Sequence, residues 1–112
     1  MIITTTTPYT LTQLEQLKEQ FEVYIKTVID IDQKICVAGM DRHFEGEESL
    51  LKKGSKQSQL WGGGIDLETK EIDYNSFINI RPKDNNPKND ILDPKIRQQF
   101  QVLMEYFFGE IL

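Results

Sequence analysis

The chain has 112 residues, 38% of them hydrophobic and 28% charged, with a formal net charge of -5 and a pI near 4.8. That length fits one domain, residues 1–112, burying roughly two-thirds of the surface its unfolded form exposes, and the composition excludes a disordered chain. The acidic balance argues against a nucleic-acid binder, which needs a surplus of Lys and Arg on one face, and leaves room only for a local basic patch.

Met1 to Pro8 contains no Lys or Arg and only a two-residue apolar run, so it reads as neither a secretory signal nor a transit peptide. No apolar stretch approaches the roughly 18 residues needed to span a bilayer. The expected location is cytoplasmic, with no membrane contact. Thr10-Leu11-Thr12-Gln13 and Thr12-Gln13-Leu14-Glu15 both match a capping box, and Leu11, Leu14, Leu17 and Phe21 follow at helical spacing. A first helix is predicted from about Leu11 to Gln20. From Val23 the period changes to two, with Val23, Ile25, Thr27, Ile29 and Ile31 on one face, which predicts a half-buried strand.

Asp32-Gln33-Lys34 turns the chain into Ile35 to Met40, apolar on both faces and therefore a central strand. The single cysteine, Cys36, cannot form an internal disulfide and reads as a small core residue in a reduced compartment. Asp41 to Gly54 then loses strand character. Acids lead and lysines follow in Glu45 to Lys53, which complements a helix dipole, and Gly54 stands where a left-handed cap belongs. A short helix is predicted there. Leu60 to Leu67 and Glu71 to Arg81 form a second hairpin, ended by Pro82. Its turn, Ile65-Asp66-Leu67-Glu68-Thr69-Lys70, echoes Ile29-Asp30-Ile31-Asp32-Gln33-Lys34. Hairpin turns favour Asp, Thr and Lys whatever their origin, so turn chemistry explains the echo more simply than duplication.

Lys83 to Asp90 is a polar loop, and Asp93-Pro94 starts a last helix with Asp as N-cap. Ile96, Phe100, Leu103 and Phe107 form a stripe that Met104, Phe108 and Ile111 widen, so this helix is the main lid on the core. The expected fold is α+β: a four-stranded antiparallel sheet in the order α-β-β-(α)-β-β-α, with its helices on one face.

The rare residue types cluster between Cys36 and Pro82. Asp41, His43 and Glu45 alternate, so in an extended segment their side chains share a side, with Glu47 or Glu48 approaching from the helix start; oxygen ligands with one imidazole suit Mn, Fe or Zn. A solvated acidic helix start accounts for the same residues. His43 has the pKa of a general acid or base, but Cys36 is buried and no serine has a nucleophile context. Gly62-Gly63-Gly64 matches neither a P-loop nor a dinucleotide fingerprint, and no cofactor is implied. Glycines within a strand point to a bulge, or to a groove beside Trp61. Asn79 and Arg81 share a strand face, followed by Lys83 and Lys88. Arg81 can grip a carboxylate or phosphate, or equally pair with Glu47, Glu48 or Asp66.

Taken in order, Gly39 to His43, Leu60-Trp61-Gly62, Phe77-Ile78-Asn79-Ile80-Arg81-Pro82 and Asp93-Pro94 give the chain its resemblance to a small family of uncharacterised bacterial proteins, frequent in cyanobacteria and defined as a domain of unknown function. The resemblance spans nearly the whole chain. The family's histidine and acidic helix start fall on His43 and Glu48, its Gly-Ser turn on Gly54 and Ser55, and its Asn-Ile-Arg-Pro strand end on Asn79, Arg81 and Pro82. Met40-Asp41-Arg42 departs from the smaller or acidic residues expected before the histidine, which weakens a metal reading based on Asp41. The resemblance implies one intact domain and brings no activity, substrate or cofactor.

The leading expectation is a binding or interaction module, with His43, Trp61, Asn79 and Arg81 lining a polar site at one end of the sheet and taking a small anion or a partner protein. The alternative is a metal-assisted hydrolase or related enzyme using His43 with Glu45, Glu48 or Asp41. A homodimer through Tyr106, Phe107 and Phe108 or an open sheet edge is compatible with either.

Overall fold

The computed structural model describes residues 1–112 as an α+β fold with a five-stranded antiparallel sheet. The strands are β1 (Ile3–Thr5), β2 (Tyr24–Asp30), β3 (Ile35–Ala38), β4 (Leu60–Asp66) and β5 (Ile72–Asp73), in the spatial order β1-β3-β2-β4-β5. The helices are α1 (Leu11–Gln20), α2 (His43–Lys52) and α3 (Pro94–Phe107).

The strand count differs from the four expected because of β1. Its Ile and Thr residues are β-branched and favour extended backbone, and they pair with β3 in the register Ile3↔Ala38 to Thr5↔Cys36. The buried Tyr9 hydroxyl donates to Ile3 O at 2.8 Å, tying the strand to the core. The fourth expected strand is also corrected. Only Ile72–Asp73 pairs with β4; beyond it the chain winds into 3-10 turns at Phe77–Asn79 and Pro82–Asp84. Ser76 Oγ accepts from Ile78 N at 3.2 Å, diverting the backbone from the ladder at the point where alternation alone would continue it.

The helices lie on both faces of the sheet, not one. Ile25, Ile29, Cys36, Ala38, Trp61 and Ile65 pack against Leu14 and Leu17 of α1 and Phe100, Met104 and Phe107 of α3. The opposite face is smaller: Val28, Val37 and Leu60 pack with Met40 and with Leu50 of α2. Side chains in a strand alternate between faces, so the two-sided apolar character of β3 reflects burial under helices on each side.

Local signals place the helix ends. Thr10 Oγ1 accepts from Gln13 N at 3.1 Å and Gln13 Oε1 accepts from Thr10 N at 2.9 Å, a reciprocal cap. Asp93 Oδ1 accepts from Lys95 N at 2.8 Å, with Pro94 in the first turn of α3. Gly54 follows α2 at φ +99°, where a side chain would be strained.

The echoed hexapeptides form the same turn. Lys34 N donates to Asp30 O at 2.8 Å and Lys70 N to Asp66 O at 2.7 Å. Asp30 Oδ1 accepts from Asp32 N and Gln33 N, as Asp66 Oδ1 does from Glu68 N and Thr69 N. Each turn closes on a lysine in the left-handed region, φ 58° at Lys34 and 63° at Lys70. An aspartate bonding the two N–H groups ahead of it is sufficient reason for the shared sequence.

Candidate functional site

The residues nominated by sequence converge on three consecutive residues of β4, Trp61 to Gly63, and reach them from different sides. β4 pairs without interruption along β2, from Tyr24↔Asp66 to Asp30↔Leu60, so the glycines form no bulge. They mark close approach instead. A Cβ on Gly62 would meet Ser76 Oγ at 2.7 Å, one on Gly63 would meet Phe100 Cζ at 2.7 Å, and one on Gly64 would meet the Tyr24 ring at 2.5 Å. The space beside Trp61 is occupied by the protein itself.

Where β5 stops, side chains take over its role along the outer edge of β4. Gly64 pairs with Asp73 of β5. Two residues on, Gly62 N donates to Asn79 Oδ1 at 2.8 Å and Asn79 Nδ2 donates to Gly62 O at 2.9 Å, so the carboxamide imitates a ladder residue. Two further on, Leu60 O accepts from Arg81 Nη1 at 2.8 Å. Asn79 Nδ2 also reaches Tyr74 O and Asn89 O, which fastens the irregular segment on both flanks. Both side chains are buried, Arg81 being 8% exposed.

The partner of Arg81 is neither Glu47, Glu48 nor Asp66. Its Nε donates to Asp84 Oδ2 at 2.9 Å, and its guanidinium lies 4.2 Å from the centre of the buried Trp61 ring. Trp61 Nε1 and Arg81 Nη2 are buried without a protein acceptor. Lys83 and Lys88 remain exposed, so the expected basic corner keeps its lysines while its arginine turns inward.

His43 is the first residue of α2 and is half-buried. Its Nε2 lies 2.7 Å from Gly63 O, a contact in which the ring N–H donates. Burial holds its pKa below the ordinary 6.5 and the Lys26 charge pushes the same way, against the Gly63 bond and Asp73. The imidazole is thus a neutral strut between α2 and the sheet. Because α2 begins at His43, the extended geometry that aligned Asp41, His43 and Glu45 does not occur. Residues two apart on a helix point to different sides, Glu48 pairs with Lys52 at 3.2 Å, and Glu45 Oε1 accepts from Arg42 N at 2.9 Å. No three His, Cys, Asp or Glu side chains gather where they could hold a metal ion. Cys36 is buried, and burial pushes its thiol up to about 12. Of the aromatic C-terminus, Phe107 and Phe108 belong to the core.

Sequence reasoning missed two features. Asn86 is buried, donating through Nδ2 to Asn79 O, Lys88 O and Asp90 O and accepting from Leu92 N. Three asparagines in one loop were the available signal, since buried irregular backbone needs side-chain partners. The second is a groove of about 510 Å³ where the β2–β3 turn meets α3, lined by Ile31, Lys34, Lys95, Gln98, Val102 and Leu103, with Gln99 beside them. No carboxylate lines it, and neither lysine is ion-paired.

Residues 1–107 match a family model described as "protein of unknown function (DUF5674)". The chain belongs to this family. No curated protein and no solved structure matches it. In this DUF5674 protein the strand motifs behind the resemblance, Leu60-Trp61-Gly62 and Asn79-Ile80-Arg81-Pro82, meet each other: the second supplies the side chains that close the edge of the first. No helix is long and apolar enough to cross a membrane.

Proposed function

We propose that this DUF5674 protein is a binding module for an anionic, partly apolar ligand, held where one end of the sheet meets α3. The supporting observation is the groove at the β2–β3 turn. Two unpaired lysines and two carboxamides surround the apolar side chains of Ile31, Val102 and Leu103, with no acid among them. A volume of about 510 Å³ falls within the usual range for ligand sites, which combine an apolar lining with a few placed polar groups. On a chain of net charge -5 an acid-free groove is a local reversal of sign. Lys34 is held by a turn whose backbone is fixed by Asp30, so its charge starts from a set position. His43, Trp61, Asn79 and Arg81 contribute to this reading as the frame that holds the sheet, with His43, Asn79 and Arg81 each bonded to the backbone of β4 and Trp61 stacked under Arg81.

The test is a thermal-shift series on wild type and the Lys34→Ala/Lys95→Ala double variant, with phenylacetate, inorganic phosphate and an acidic peptide as probes. A ligand that binds only the folded state stabilises it by about 2.7 kcal/mol at a hundredfold excess over Kd. The expected outcome is a rise in Tm with an anionic probe that carries an apolar group, lost in the double variant. No rise with any anionic probe overturns the reading.

A further inference from the structure

We propose that the ligand of this groove is an acidic segment of a partner protein, lying along the first turns of α3 with an apolar side chain seated against Ile31, Val102 and Leu103. The inference rests on the anion-binding reading above and names the class of ligand.

Three features favour a peptide over a small carboxylate. The first is the openness of the site. Val102, which forms one wall, is 56% exposed, whereas small-molecule sites enclose most of their ligand. An open wall suits a ligand that continues past the groove, and Tyr106, 48% exposed and one turn beyond Val102 on α3, extends the apolar strip in that direction.

The second is the pair of carboxamides. Gln98 and Gln99 each offer both a donor and an acceptor, the combination that matches the N–H and C=O groups of a peptide backbone.

The third is the placement of charge. Lys34 comes from the β2–β3 turn and Lys95 from the first turn of α3, so the two cations approach the apolar floor from different elements. Such spacing suits acids distributed along a chain. The acids nearest in sequence lie outside the lining: Asp30 Oδ2 accepts from Ser55 Oγ at 2.7 Å, Asp93 caps α3, and Asp32 is exposed on the same turn as Lys34. Attraction to such a segment weakens as salt rises.

The experiment is an NMR titration of the full chain with three probes. One is a synthetic peptide of Asp, Glu, Leu and Phe; the second is its counterpart with Lys at every acidic position; the third is phenylacetate. The acidic peptide is expected to move the amide signals of Lys34, Gln98, Gln99 and Val102. Its affinity should fall about tenfold or more in Lys34→Glu/Lys95→Glu and remain unchanged in Lys83→Glu/Lys88→Glu, where the exposed lysines lie outside the groove. Equal binding of the basic peptide overturns the proposal. Shifts with phenylacetate but not with the acidic peptide overturn the peptide assignment and leave the anion site standing. If no probe moves these signals, both fall. Melting curves of each variant confirm that the comparison is made on folded protein.

Discussion

Asn79 shows how much one side chain contributes when the backbone around it is irregular. It accepts one hydrogen bond and donates to three carbonyls, so its removal strands Gly62 N–H and several carbonyl groups inside the protein. A buried unsatisfied polar group costs about 1–3 kcal/mol, and Asn79→Ala is expected to destabilise by about 2–4 kcal/mol in urea or guanidinium titrations. Asn79→Ala with an unchanged midpoint would show that these bonds carry no net stability. His43 acts through protonation instead. Its folded-state pKa lies below that of the unfolded chain, because burial disfavours the charged ring. The unfolded state therefore takes up a proton first, and the stability contributed by neutral His43 is present above pH 6.5 and fades as pH falls from there toward the folded pKa. His43→Gln, which retains an N–H donor for Gly63 O, should flatten this part of the profile. Denaturation midpoints measured between about pH 7.5 and 5.5 on both proteins provide the comparison.

Among the elements, β4 imposes the tightest requirement. Its central glycine, Gly63, faces the Asp73 backbone and the Phe100 ring, so an added methyl must displace β5 or α3. Gly63→Ala is expected to cost about 3 kcal/mol or more, the upper part of the overpacking range. Gly109→Ala, whose new carbon would press only on Glu105 O at 3.0 Å, should cost less than Gly63→Ala, and thermal melts of the two would compare severe with mild crowding. The other elements differ in how plainly the sequence declares them. α1, α3, β2 and β3 were legible because periodicity and capping residues agree, as at Thr10 and Asp93. Glu71 to Arg81 was misread as a long strand because Ile72, Tyr74, Ser76, Ile78 and Ile80 alternate. A serine bonding its own backbone two residues ahead overrides that alternation. β1 was missed because three residues give too short a pattern to show a period.

For the whole molecule, alternation revealed which residues are buried but not how many layers bury them. The apolar residues on both faces of β3 read as a central strand under helices on one face, whereas the folded chain places α1 and α3 on one face and α2 on the other. The polar cluster was legible as a place and not as a role. His43, Trp61, Asn79 and Arg81 do meet at one stretch of β4, but hydrogen bonding to backbone carbonyls and N–H groups leaves no trace in residue types alone. The groove beside Lys34 and Lys95 joins segments about sixty residues apart, which no local pattern reports. The way β4 is closed also bears on how copies of this protein behave toward one another. A strand edge with free N–H and C=O groups recruits further strands and seeds aggregates. Here Asn79 and Arg81 occupy the exposed half of that edge with side chains that cannot propagate a ladder, and β1 at the far side is only three residues long. The polar knot that first looks like a ligand site thus also leaves Gly62 N–H, Gly62 C=O and Leu60 C=O of β4 with nothing to offer a neighbouring strand.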